Sequence, residues 1–66
     1  MNKNISKNIR RYRINKEMSI QKLSELSGLD NHTIWAIENG ERKNPTINTL
    51  TKIANVLTIS IEDILK

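Results

Sequence analysis

Residues 20–39 read IQKLSELSGLDNHTIWAIEN, and the reading of this stretch decides the fold. Leu23 and Leu26 fall three apart and are expected to share a buried helical face, while Ser24 is small enough for a second helix to cross closely. Gly28 stands just past the last periodic residue, where helices commonly end in a left-handed backbone conformation that glycine adopts without a Cβ clash. Asp30 is placed to cap a second helix, whose inward stripe is Ile34 and Ile37. Two short amphipathic helices joined by a turn at Gly28 make a helix-turn-helix.

At about 100° per residue, Asn31, His32, Trp35, Ala36 and Asn39 are expected on the half of the second helix that faces away from Ile34 and Ile37. Amide, imidazole and indole groups on an exposed helix suit the edges of bases in a major groove. An Asn amide pairs with adenine through both its groups, His donates or accepts at guanine or a phosphate, and the Ala36 methyl fits a thymine methyl. With Thr33, these residues are the candidate base contacts: Asn31, His32, Thr33, Trp35 and Ala36. Asn31 could instead assist capping, His32 could be merely solvated, and Trp35 could lean on the neighbouring helix rather than on sugar and methyl groups.

Working outward, the periodicity predicts an all-α protein with five helices. The first covers about residues 5–16, with Ile5, Ile9 and Tyr12 inward. The motif helices run near 20–27 and 31–39, and the loop ENGERKNP follows from Glu38 to Pro45. Thr46 caps a fourth helix with Leu50, Ile53, Ala54 and Leu57 inward, and Ser60 with Asp63 opens a fifth that turns Ile64 and Leu65 inward. Residues 1–4 are expected to fray.

The 66 residues leave room for one domain with a small aliphatic core: eleven Ile and six Leu, with Tyr12 and Trp35 as the only aromatics. A core of this size predicts modest stability, which dimerisation could raise by mass action. There is no cysteine and a single His, so neither disulfides nor thiolate metal sites are possible, and no metal or cofactor is expected. No apolar run approaches the ~20 residues of a membrane span, and the N-terminus lacks a signal-peptide pattern, which predicts a soluble cytoplasmic protein. No Ser, Cys or carboxylate stands near His32 at a spacing that implies catalysis.

The net charge of +4 is unevenly spread: residues 1–22 hold seven Lys or Arg against one acid, and residues 23–66 hold four against six. Lys3, Lys7, Arg10, Arg11 and Lys16 could therefore face phosphates, or could form an ordinary solvated helix face.

From Ile9 to Leu65 the chain resembles the Cro and phage-repressor type of helix-turn-helix regulator, a compact five-helix, lambda-repressor-like DNA-binding domain. The residues that carry the likeness are IRRYR at 9–13, Leu23, Gly28 with Leu29, Thr33 with Ile34, IENGERKNP at 37–45, Leu50, Ile53 with Ala54, Leu57 and IEDIL at 61–65. The resemblance implies an ion pair between Arg13 and Glu38 that ties the first helix to the end of the recognition helix. It also implies backbone contacts from Asn39, Arg42 and Lys43, with Arg10 adding charge from the first helix. A Gln commonly opens the first motif helix in this family; here Ile20 stands there and Gln21 follows, so Gln21 inherits the expected backbone contact. Thr58 replaces the small residue, often Gly, in the turn before the last helix.

A domain of this size reads few bases, so the resemblance also implies a homodimer on two half-sites of double-stranded DNA. Ile47, Val56, Ile59 and Ile61 exceed the obvious needs of the core and are the candidate dimer surface, ordinary burial being the alternative. The expected function is a transcriptional regulator, most simply a repressor, whose control would come from its concentration, a partner protein or an antagonist. The competing reading is a protein-interaction module that keeps the fold without specific DNA binding, favoured by Ile20, Trp35 and Ala36 on the DNA side.

Overall fold

The computed structural model describes residues 3–66. Five helices follow one another: α1 Lys3–Asn15, α2 Ile20–Ser27, α3 Asn31–Glu38, α4 Ile47–Leu57 and α5 Ile61–Leu65. Of the residues expected to fray, Lys3 and Asn4 belong to α1, and residues 1 and 2 lie outside the described residues.

Local chemistry sets most boundaries. Ser19, Asp30, Thr46 and Ser60 are N-caps in extended conformation, each side chain accepting from the N–H three residues on. At α5 the bond is reciprocal, since the Asp63 carboxylate accepts from the Ser60 N–H. Two of the orphan donors in the first turn of this five-residue helix, the Ser60 and Asp63 N–H groups, are thus occupied.

Left-handed residues end α1, α2 and α4. Gly28 (φ 79°) closes α2 and donates its N–H to the Ser24 carbonyl. Thr58 adopts the same region at φ 60°, with its own N–H and that of Ile59 both donating to the Ala54 carbonyl. The turn before α5 therefore has the geometry a glycine would take, built on a β-branched residue. Glu17 (φ 55°) ends α1 in the same way, with Met18 N–H returning to the Arg13 carbonyl.

The core gathers Ile5 and Ile9 of α1, Leu23 of α2, Ile34 and Ile37 of α3, Leu50, Ile53 and Leu57 of α4, and Ile64 of α5. α1 packs on α3, α4 and α5, while α2 is held between α3 and α4. Burial of each of these large side chains contributes about 1.5–3 kcal/mol against exposure. Two expected core residues lie elsewhere: Leu26 is 53% exposed and Leu65 is also exposed. α2 meets its neighbours along a stripe so narrow that Leu23 alone is buried on it, and α5 turns only Ile64 inward.

Polar bonds lock α1 across the domain. The Ser6 hydroxyl donates to the Ile37 carbonyl at 2.6 Å, the buried Asn8 amide donates to the Ile64 carbonyl at 2.8 Å, and the Asn4 amide donates to the Lys66 carbonyl. Asn8 and Asn4 satisfy carbonyls at the end of α5 that have no partner within so short a helix.

Candidate nucleic-acid interface

The outer face of α3 is held from both sides. On its inner side Ile34 and Ile37 are fully buried, and the last turn is fastened to α1 by the Ser6 bond and by the pair Arg13–Glu38. The Arg13 guanidinium donates to both Glu38 carboxylate oxygens, at 2.6 Å and 2.9 Å, and also to the Met18 carbonyl. These bonds with Glu38 hold the Arg13 pKa above its ordinary value, against the opposing effect of partial burial. Glu38 is thereby occupied in bracing the helix and not turned outward.

The connection from α2 is equally constrained. The Ser24 hydroxyl donates to the Leu29 carbonyl and Leu29 packs against the core, so the turn at Gly28 sets the angle between α2 and α3. Asp30 then receives the Thr33 N–H at 2.9 Å. Its carboxyl is held below 3.8, first by the Thr33 hydroxyl, then by that N–H, with smaller contributions from His32 and Arg42. Thr33 is thereby tied to the cap of α3 through its N–H, and its side chain is half-buried.

Asn31, His32 and Trp35 stand exposed on α3. His32 and Trp35 stack, with ring centroids 5.9 Å apart and planes inclined by 21°. Trp35 keeps 41% of its surface exposed, so the indole does not retreat into the domain. Asn39 is exposed too, but its amide turns back to donate to the Trp35 carbonyl at 2.8 Å, closing the helix end.

Ala36 is a correction. Expected on the outer face, it is 5% exposed. The chain reverses at Gly40 (φ 78°), and the N–H groups of Glu41 and Arg42 both donate to the Ala36 carbonyl. The loop is thus laid against this turn of α3, and a methyl group does not reach past its surroundings as an indole does. Ala36 drops from the candidate base contacts and from the apolar residues that favoured a protein-interaction surface.

The same reversal places Arg42 and Lys43 in the solvent beside the helix. Gln21 is exposed in the first turn of α2, and Arg10 is exposed on α1. Arg10, Ile20, Trp35 and Asn39 line a cleft of about 240 Å³ whose remaining walls are Arg13 and Glu38. Tertiary folding brings together here a cation from the first helix and an aromatic from the third. Among the four candidate dimer residues, Val56, Ile59 and Ile61 are half-buried against the core, while Ile47 is 63% exposed.

Some positioning residues escaped the sequence reading. Ser19 could have been found, as a hydroxyl residue directly before an amphipathic run. Ser6 and Asn8 carry no such signal, because their partners lie 31 and 56 residues away.

The family model for the Cro/C1-type helix-turn-helix DNA-binding domain matches residues 8–66. The chain belongs to this family. Among solved structures it is similar to SinR, the master regulator for biofilm formation, in complex with DNA, with 32% identity, a TM-score of 0.91, and coverage of 94% of this chain and 98% of that one; the DNA-binding domain of SinR comes from Bacillus subtilis. In the complex of SinR with SinI the same likeness covers 60% of the matched chain, again at 32% identity, over 94% of this chain and with a TM-score of 0.91. The restriction-modification controller protein C.AhdI from Aeromonas hydrophila is similar at 30% identity, with a TM-score of 0.87 and coverage of 92% of this chain and 91% of that one. No curated protein sequence matches the chain.

Membership of this family makes the chain a DNA-binding domain of the transcription-regulator class, and its five helices have the architecture of SinR and C.AhdI. Among the described residues no helix is long and apolar enough to cross a membrane, and no group of His and acidic side chains is placed to hold a metal.

Proposed function

We propose that the chain is a sequence-specific repressor that occupies a palindromic operator as a homodimer and acts by binding, not catalysis, in the cytoplasm. The observation that carries this reading is the exposed His32–Trp35 stack on a helix braced from behind by Arg13 and Glu38. Base reading requires groups held in place before DNA arrives, since ordering them on binding would cost affinity. In this reading Asn31, His32 and Trp35 address base edges. Arg10, Gln21, Asn39, Arg42 and Lys43 hold the backbone and set the register.

Two half-sites are proposed because one eight-residue helix spans only a few base pairs. Ile47, with Val56, Ile59 and Ile61 behind it, is the proposed dimer surface. SinR is in complex with SinI in one similar structure, where this chain covers 60% of the matched chain, which supports a protein partner for this chain; control by such a partner as an antagonist is part of the proposal. Selection of bound duplexes from a random library at near-physiological salt tests the proposal. An inverted repeat with half-sites about one helical turn apart is expected. Recovery without any preferred sequence would overturn specific recognition, and a monomer mass at tens of micromolar that DNA leaves unchanged would overturn the dimer.

A further inference from the structure

α1 presents three faces to different surroundings. Ile5, Ile9 and Tyr12 enter or border the core, Ser6 and Arg13 bond to α3, and Asn4 and Asn8 bond to the end of α5. Lys7, Arg11 and Ile14, spaced four and three residues apart, fall on the remaining stripe, which none of the described helices covers. All three are exposed, and Ile14 keeps 52% of its surface in solvent. The Arg11 guanidinium rests 5.1 Å from the centroid of the Tyr12 ring, which steadies it at the edge of this stripe.

Between this stripe and the C-terminal end of α5 lies a groove of about 510 Å³, lined in part by Lys7, Arg10, Arg11, Ile14 and Lys66. Among the described residues no acidic side chain lines it. The groove is separate from the cleft beside the recognition helix, sharing only Arg10 with it.

From this arrangement we propose that the outward face of α1 is a docking surface for an acidic amphipathic helix of another protein, with an apolar side chain seated on Ile14 and carboxylates paired with Lys7 and Arg11. Charge complementarity decides the sign of the partner, since the charged side chains that line the groove are cations, beside the neutral Asn4 and Asn8, although Lys66 lies 3.9 Å from Asp63. The exposed isoleucine decides its class. A phosphate backbone gains nothing from an apolar side chain, whereas an amphipathic helix buries it and places acids at flanking positions. The stripe is distinct from the Ser6 and Arg13 side of α1 that bonds to α3, and its groove meets the recognition-helix cleft only at Arg10.

The test titrates the isotope-labelled full chain with a synthetic helical peptide carrying leucines at i, i+3 and i+7 among glutamates, and with a scrambled peptide of the same composition. Saturable amide shifts at Lys7, Arg11 and Ile14 from the patterned peptide are expected, with affinity falling roughly tenfold in Ile14→Ser and in Lys7→Glu. Equal binding of the scrambled peptide, or shifts centred on α3, would overturn the proposal. So would displacement of the peptide from these amides by a generic DNA duplex, which would assign the stripe to phosphates. Ile14→Ser should leave the selected operator and its affinity unchanged, so loss of DNA reading and loss of peptide docking are scored separately.

Discussion

Arg13 of the first helix and Glu38 at the end of the recognition helix form a two-pronged ion pair, with side chains only 12% and 3% exposed. The same guanidinium also bonds the Met18 carbonyl, so one side chain joins α1, the segment leading to α2, and α3. Glu38→Ala leaves a cation without its partner in a mostly dry position and should cost about 2–4 kcal/mol in denaturant unfolding. The double reversal Arg13→Glu with Glu38→Arg should regain part of the loss and not all, because a glutamate at position 13 cannot donate to Met18. Equal losses in both single reversals and the double would show that the pair does not stabilise the fold.

Gly28 and Thr58 hold similar left-handed conformations with opposite consequences for mutation. A Cβ added at Gly28 meets no atom within 4 Å, so the cost of Gly28→Ala is that of the backbone alone, about 1–2 kcal/mol. Thr58 already bears that strain on a β-branched residue. Thr58→Gly should therefore raise stability, by roughly 0.5–1 kcal/mol after the larger chain entropy of glycine is subtracted. Thermal unfolding of the two variants checks both signs.

Two capping carboxylates make stability depend on acid. Asp30 is held below 3.8 chiefly by the Thr33 hydroxyl, and Asp63 by the Ser60 N–H and then its hydroxyl. A depressed folded-state value means that the charged form is favoured in the native protein. Its contribution is present above the unfolded value and disappears as the pH falls through the lower folded one. The melting temperature should be level near neutrality and drop below about pH 4. Asp30→Asn keeps a capping acceptor and loses the charge, so its melting temperature should fall less steeply with acid.

DNA binding should separate readers from anchors. Lys43→Ala is expected to weaken all duplexes alike and to flatten the dependence of log affinity on log salt by about one unit. His32→Ala should instead relax preference at particular bases, at a cost of about 1–3 kcal/mol for the preferred site. Because His32 stacks on Trp35, removing the imidazole should also alter how the indole is presented, and Trp35 emission on binding provides the readout. An unchanged spectrum at saturation would place Trp35 outside the interface. Ala36→Val, by contrast, should lower stability through overpacking by about 1–3 kcal/mol while keeping the order of preferred sequences.

The amino-acid sequence alone determined the caps and turns, since these are short-range contests. Asp30 with Thr33, Thr46 with Thr49, Ser60 with Asp63 and the left-handed Gly28 each involve residues within a few positions, and their chemistry is much the same in any fold. It also marked the aliphatic stripes of α3 and α4, where Ile34 with Ile37, and Leu50, Ile53 and Leu57, recur at helical spacing and are buried. Burial at single positions was decided by the tertiary structure. Leu26 and Leu65 match an inward pattern yet find no neighbour to cover them, while Ala36 matches an outward one and is covered beside its own returning loop. The cleft that joins Arg10 to Trp35, the Asn8 bond to Ile64 and the open stripe of Lys7, Arg11 and Ile14 are of the same kind. Periodicity records which way a side chain leaves its helix, but what it meets there depends on parts of the chain dozens of residues away, and only packing brings them together.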